Sequence, residues 1–101
     1  MPLKVFELEF DDWNESEAAR HNVTPREIMQ VLDEGDPVFA TNKKGHAASI
    51  LMIGPTLGGR FLTVPLAATP LEGRWRPATA FDSTAPEIAR YRANRSTYFR
   101  R

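Results

Sequence analysis

The hydrophobic pattern of this chain changes from helical to extended at one point, Gly35-Asp36-Pro37. Before that point, residues 23–28 carry the signature of a helix start. Thr24 is placed as the N-cap, Pro25 as the first helical residue and Glu27 as the third residue of a capping box. After it, short apolar segments alternate with turns, as in strands joined by hairpins. Helices followed by a run of such strands favour an α+β fold.

The predicted order is strand, two helices, three strands, a fourth strand candidate and a final helix. Strands are expected at residues 6–10, 38–41, 48–53, 60–66 and 74–81. Helices are expected at residues 13–20 after an N-cap at Asp11-Asp12, from the Thr24 cap to Gly35, and after Thr84, where Glu87 completes a second capping box. Because short turns connect antiparallel neighbours, we expect an antiparallel meander with helices on one face. Pro65 cannot donate to a ladder and predicts an edge or a bulge. Residues 96–101 are expected to fray.

Length and composition limit the classes of protein. The chain has 101 residues, which fits one domain spanning residues 1–101. It has no cysteine, and its two histidines lie 25 residues apart, so a zinc site is not expected. No apolar run reaches the roughly 18 residues of a membrane span. We therefore expect a cytoplasmic protein with no metal, no other cofactor and no membrane association.

Opposite charges are concentrated in the two parts of the chain. Residues 1–36 hold ten acidic and three basic side chains, whereas residues 37–101 hold three acidic and ten basic ones. In a compact fold the two parts could simply face each other. They could instead leave one basic face, which would suit a partner rich in phosphate.

Three blocks of this sequence form a pattern that spans most of the chain. The first block is Trp13-Asn14 followed by Ala19-Arg20-His21-Asn22-Val23-Thr24-Pro25. The second is Ile53-Gly54-Pro55-Thr56 with Gly59-Arg60-Phe61-Leu62, and the third is residues 76–80 with Glu87, Tyr91 and Arg92. The blocks follow one another from about residue 5 to residue 95. In this order and at these separations, the three blocks resemble the BrnT-like toxins of bacterial toxin–antitoxin pairs.

The resemblance implies a small RelE-like fold and a metal-independent ribonuclease that an antitoxin protein sequesters. This chain departs from the family pattern at three positions. Glu17 stands where the family often has histidine, Ser49 where it often has a basic residue, and Phe81 where it commonly has arginine. The departures affect the expected active face more than the fold.

Cleavage of RNA without a metal requires a base for the 2′-hydroxyl, cations for the phosphorane and an acid for the leaving oxygen. Arg60 and Arg76 are the candidate cations, and on a small sheet they could converge. His21 and Glu17 are candidates for proton transfer. Each has a structural alternative: the arginines as strand residues paired to carboxylates, His21 as a hydrogen bonder between helices, and Glu17 as a solvated side chain.

Substrate binding is assigned to Thr79 and to the polar loop that contains Lys43, Lys44 and His46. Thr79 could donate to a phosphate oxygen, or it could simply pack in its strand. The loop residues could reach an RNA, or they could simply be exposed.

Three hypotheses follow. The first is a BrnT-like toxin that cleaves RNA. The second is an inactive module on the same scaffold that binds RNA or protein. The third is a homodimer joined through an edge strand, with Tyr98 and Phe99 at the interface.

Overall fold

Helices and strands account for most of the chain in the computed structural model, which describes the backbone of residues 3–99 and the side chains of residues 3–94. Within these residues the fold is α+β, with three helices and six strands. The elements are β1 (Glu7–Leu8), α1 (Asp12–Ala19), α2 (Pro25–Glu34), β2 (Val38–Thr41), β3 (Ala48–Pro55), β4 (Phe61–Ala68), β5 (Arg74–Pro77), β6 (Phe81–Asp82) and α3 (Ala85–Phe99). The prediction for residues 96–101, and the side chains of Tyr98 and Phe99, lie outside the fully described residues. No helix of the described part has the length and apolar character needed to cross a membrane.

The predicted helix caps are present. The Thr24 hydroxyl accepts a hydrogen bond from the Glu27 backbone N–H (3.2 Å), and the Glu27 carboxylate accepts one from the Thr24 N–H (3.0 Å). Asp11 caps α1 in the same way, with Asn14 as its reciprocal partner. These caps satisfy N–H groups that have no partner within the helix. Helix α2 begins directly after its predicted cap, and α1 begins at Asp12, one residue before the predicted start.

The sheet is mixed, and the expectation of a purely antiparallel meander was wrong. Strands β2, β3, β4 and β5 pair antiparallel in sequence order, as short connections require. Strand β1 pairs parallel to β5, with Glu7 opposite Arg74. No short turn joins β1 to any other strand, because both α1 and α2 follow it. The expectation that short turns connect antiparallel neighbours therefore did not fix the direction of β1.

The last predicted strand, residues 74–81, is broken into β5 and β6. Both pair with β4, but the register of Leu66 opposite Pro77 differs by one residue from that of Thr63 opposite Phe81. The extra residue lies opposite Pro65, whose carbonyl accepts from the Ala78 N–H (2.9 Å). A strand residue points its N–H and C=O toward the same neighbour, so the missing N–H of Pro65 faces this bulge.

Helices lie on both faces of the sheet. Leu62, Val64 and Leu66 alternate along β4 and are fully buried together with Ile28 and Val31 of α2. The intervening β4 side chains point to the second face, which α3 covers in part. There the Phe61 ring meets the Tyr91 ring edge-on at 5.4 Å. The helices were expected on one face only, so the division of α2 and α3 between two faces is a further correction.

Gly54 allows α2 to approach the first face of the sheet closely. A Cβ atom at this position would lie 3.2 Å from Val31 Cγ1 and 3.2 Å from Pro37 Cα. These separations are tighter than ordinary van der Waals contact, so the absence of a side chain permits the close packing. The Tyr91 hydroxyl, from α3, donates to the Gly35 carbonyl at the end of α2 (2.8 Å).

Candidate functional site

An open cleft occupies the part of the second sheet face that α3 leaves uncovered. Its volume is about 610 Å³, within the roughly 300–1,000 Å³ typical of ligand sites. Leu51 and Pro65, opposite each other in β3 and β4, contribute sheet side chains to it. The remaining lining comes from the loop between β2 and β3 with the strand residue at each of its ends, the break between β5 and β6 with the first residue of β6, and the first turn of α3: Thr41, Asn42, Lys43, His46, Ala47, Ala48, Ala78, Thr79, Phe81 and Glu87.

The loop between β2 and β3 brings cationic and titratable side chains to the cleft. Its base is held by Asn42, whose amide donates to the Ala48 carbonyl (2.7 Å) and whose Oδ1 accepts from the Lys43 N–H (2.8 Å). Gly45 adopts a positive φ of 90°, which a residue with a side chain rarely does. The exposed side chains of Lys43 and His46 therefore extend from an anchored loop.

Three of the four predicted substrate-binding residues come together at this cleft. Lys43, His46 and Thr79 all line it, although they come from separate segments of the chain. Lys44 is exposed in the same loop. The Thr79 hydroxyl donates to the Glu17 carbonyl (3.3 Å) and so also ties the β5–β6 break to α1. The cleft thus joins a basic loop to an irregular strand edge.

Glu87 also lines the cleft, although the sequence pattern assigned it only a capping role. It does cap α3, since its Oε1 accepts from the Thr84 N–H at 2.8 Å. The same oxygen accepts from the hydroxyl of Thr63 at 2.9 Å. Thr63 is completely buried on the second face of β4. A threonine within an otherwise apolar strand was the available signal for this contact.

Arg60 is engaged in a clamp between the α1–α2 junction and β6. Its Nη1 and Nη2 donate to the backbone carbonyls of Asn22 (2.7 Å) and His21 (3.0 Å). Its Nε donates to Asp82 (2.7 Å), and Nη1 lies 3.3 Å from Glu27. The hydrogen bond from Arg60 lowers the pKa of Asp82, and Asp82 in turn raises the pKa of Arg60. All three nitrogens of the Arg60 guanidinium therefore donate to groups of the protein itself.

Arg76 makes a second, separate ion pair. Its Nη1 donates to the carboxylate of Asp11, and this hydrogen bond lowers the pKa of Asp11. The guanidinium also lies 5.8 Å from the ring centroid of Trp13, whose side chain is exposed rather than buried in the core. Arg76 therefore links the cap of α1 to β5.

The structure does not bring Arg60 and Arg76 together, and the expected convergence was wrong. Arg60 precedes the first residue of β4, whereas Arg76 lies opposite Ala67 near its end. Seven residues of strand separate the two positions, or about 23 Å at roughly 3.3 Å per residue. Alternation also directs the two side chains to opposite faces of the sheet. Neither arginine lines the cleft.

His21 and Glu17, the predicted proton-transfer residues, also lie outside the cleft lining. His21 is exposed at the α1–α2 junction, where its ring meets that of Phe81 edge-on at 6.1 Å. Glu17 pairs with Arg20 on α1 at 3.5 Å. Among the described residues, no three histidine or carboxylate side chains are grouped to bind a metal ion.

Comparisons of the chain with protein-family models, with curated proteins and with solved structures found no match.

Proposed function

We propose that this chain is an RNA-binding protein similar in function to the BrnT-like toxins and that the cleft is its RNA-binding surface. The observation that carries the proposal is the meeting of Lys43, His46 and Thr79 over an uncovered part of the sheet. Lysine attracts the phosphate backbone. The Thr79 hydroxyl, whose hydrogen goes to the Glu17 carbonyl, keeps lone pairs that can accept from a ribose hydroxyl. The apolar floor formed by Leu51 and Pro65 offers a surface against which a base can pack.

In the toxin form of this proposal the ribose 2′-hydroxyl attacks the adjacent phosphorus, and the 5′-oxygen of the next nucleotide leaves. The cleft provides His46 as the group that would take the proton of the 2′-hydroxyl and pass it to the leaving 5′-oxygen, and Lys43 as a cation for the phosphorane. These residues replace Arg60 and Arg76, which serve internal contacts. An antitoxin that covers the cleft would block access of RNA, and the partner itself is proposed from the resemblance alone.

The test is RNA binding by a charge variant and by a matched control. Fluorescence anisotropy with a short single-stranded RNA compares the wild-type chain, Lys43→Ala/Lys44→Ala and Arg20→Ala/Arg26→Ala. Both variants lose two exposed cations, but Arg20 and Arg26 lie on or beside α1 and α2, away from the cleft. We expect the loop variant to bind RNA at least about tenfold more weakly than the wild type. The slope of log affinity against log salt concentration should become smaller by about 1.4, because two phosphate contacts are lost. Equal losses in the two variants, or no binding by the wild type, would overturn the proposal.

Binding without cleavage is the second candidate function. It is favoured by the engagement of both candidate arginines in internal ion pairs. Incubating the chain with labelled RNA in the presence of a metal chelator separates the two candidates. Cleavage that is lost in His46→Ala supports the toxin, whereas binding with intact RNA supports the inactive module. Growth arrest on induced expression, with the same variant as control, extends the test to cells.

A further inference from the structure

The carboxylate of Glu87 is held in position from two sides. Its Oε1 accepts from the Thr84 backbone N–H and from the Thr63 hydroxyl. The Thr63 oxygen also lies 2.8 Å from the Ser83 hydroxyl. Since the single hydroxyl hydrogen of Thr63 is directed to Glu87, Ser83 donates to Thr63. This chain of hydrogen bonds restricts the rotation of the Glu87 side chain.

The second carboxylate oxygen of Glu87 has no protein donor within the described residues. A carboxylate offers about four acceptor positions, and two of them are used at Oε1. Glu87 lines the cleft. Oε2 of Glu87 is therefore a fixed acceptor that receives no hydrogen bond from the described residues. A donor group of a molecule that enters the cleft can bond to it.

The rest of the cleft suits a planar base attached to a phosphate backbone. Phe81 and Pro65 provide apolar ring surfaces, and Lys43 and His46 lie on the side formed by the β2–β3 loop. Aromatic and apolar side chains pack against bases without regard to sequence, whereas hydrogen bonds to the base edge select the base. Selection in this cleft therefore depends on what Glu87 can accept.

Guanine is the base whose Watson–Crick edge fits this acceptor. It places two donors, N1–H and the 2-amino group, side by side. Adenine and cytosine place a ring-nitrogen acceptor next to the amino group, and uracil has a carbonyl on each side of N3–H. A carboxylate attracts adjacent donors and repels adjacent acceptors. We propose that the cleft recognises an unpaired guanine in RNA through Glu87, an inference that rests on the proposed RNA-binding function.

The experiment measures anisotropy with short uridine-rich RNA oligomers that carry guanine, adenine, cytosine or hypoxanthine at the central position, at about 100 mM salt. We expect the guanine oligomer to bind about tenfold more tightly than the adenine and cytosine oligomers, in line with one charge-assisted hydrogen bond. Hypoxanthine lacks the 2-amino group, so its oligomer should bind with intermediate affinity.

The Glu87→Gln variant tests the residue. Glutamine keeps an oxygen for Thr63 and Thr84, as capping boxes allow, but places an amide donor where the second acceptor stood. The preference for guanine over adenine and cytosine should fall below about twofold. Glu27→Gln is the matched control, because Glu27 occupies the same capping position in α2 but does not line the cleft. It should keep the preference.

The outcomes separate this inference from the proposed function. Equal binding of the four oligomers, or a guanine preference that survives in Glu87→Gln, overturns recognition by Glu87 and leaves RNA binding intact. Failure of the wild type to bind any oligomer overturns both.

Discussion

Replacing Arg60 with methionine should destabilise the fold because Arg60 joins segments that are far apart in the sequence. Its guanidinium contacts His21 and Asn22 at the α1–α2 junction, Glu27 in α2 and Asp82 in β6. Methionine retains most of the apolar stem but none of the donors. The helix junction would then lose the hydrogen bonds and ion pairs through which Arg60 holds it to the sheet edge.

The magnitude follows from the exposure of each partner. The two hydrogen bonds to backbone carbonyls contribute about 1 kcal/mol each. The Asp82 side chain is 69% exposed, so its pair with Arg60 is counted at about 0.5 kcal/mol because water screens it. The 3.3 Å contact with Glu27 adds about 0.5 kcal/mol. The expected loss is about 3 kcal/mol, which is a large part of the stability of a small domain.

Urea unfolding followed by circular dichroism measures this loss. Arg74→Met is the matched control, since Arg74, the first residue of β5, pairs with Glu7 and Glu9 only at 3.5–3.6 Å. We expect the control to lose less than about 1 kcal/mol. A loss below about 0.5 kcal/mol in Arg60→Met would refute the clamp.

The clamp also affects how functional variants are interpreted. If Arg60→Ala abolishes toxicity, the cause can be unfolding of the α1–α2 junction rather than lost chemistry. Arg76 makes one ion pair with a partly exposed partner, so its removal tests chemistry with less disturbance of the fold. Each activity measurement on an Arg60 variant therefore needs the unfolding free energy of the same variant.

Further predictions concern stability. Arg76→Ala should lower the urea midpoint less than Arg60→Met does, and an equal or larger shift would contradict the description of its ion pair as partly exposed. Thr63→Val should cost about 1–2 kcal/mol because the new side chain cannot bond to Glu87 or Ser83, and an unchanged urea midpoint would argue against that network. The pKa of Asp82 is lowered in the folded chain by Arg60, so its contribution is complete above the unfolded pKa of about 3.9 and is lost as pH falls through the lower folded value. Unfolding free energy should therefore decline with pH below about 4, less steeply in Asp82→Asn, and identical slopes would contradict this pairing.

Local sequence signals predicted the starts of the helices and much of the sheet. The two residues of each capping box, at Thr24 and at Thr84, lie only three positions apart in the chain, and both boxes form. Strand β2 has the predicted bounds, and β3 and β4 each extend two residues further than predicted. These features depend on contacts between near neighbours, which the sequence pattern contains.

The sequence did not reveal which residues meet across the fold. The partners of Arg60 lie 22 to 39 positions away, so its role in the clamp could not be distinguished from an exposed catalytic cation. The parallel pairing of β1 with β5 is likewise a long-range contact. Glu87 was predicted as a cap because its capping partner, Thr84, is near in the sequence. Its contact with Thr63 depends on the packing of α3 against the second face of the sheet, which is a long-range contact.

The most direct test of the central claim is an NMR titration of the uniformly ¹⁵N-labelled chain with a short single-stranded RNA. If the cleft is the binding surface, the largest amide shift changes should fall at residues 41–48, at residues 78–81 and around Glu87. Changes concentrated around Arg60 or Arg76, with the β2–β3 loop unaffected, would contradict the assignment of RNA binding to the cleft.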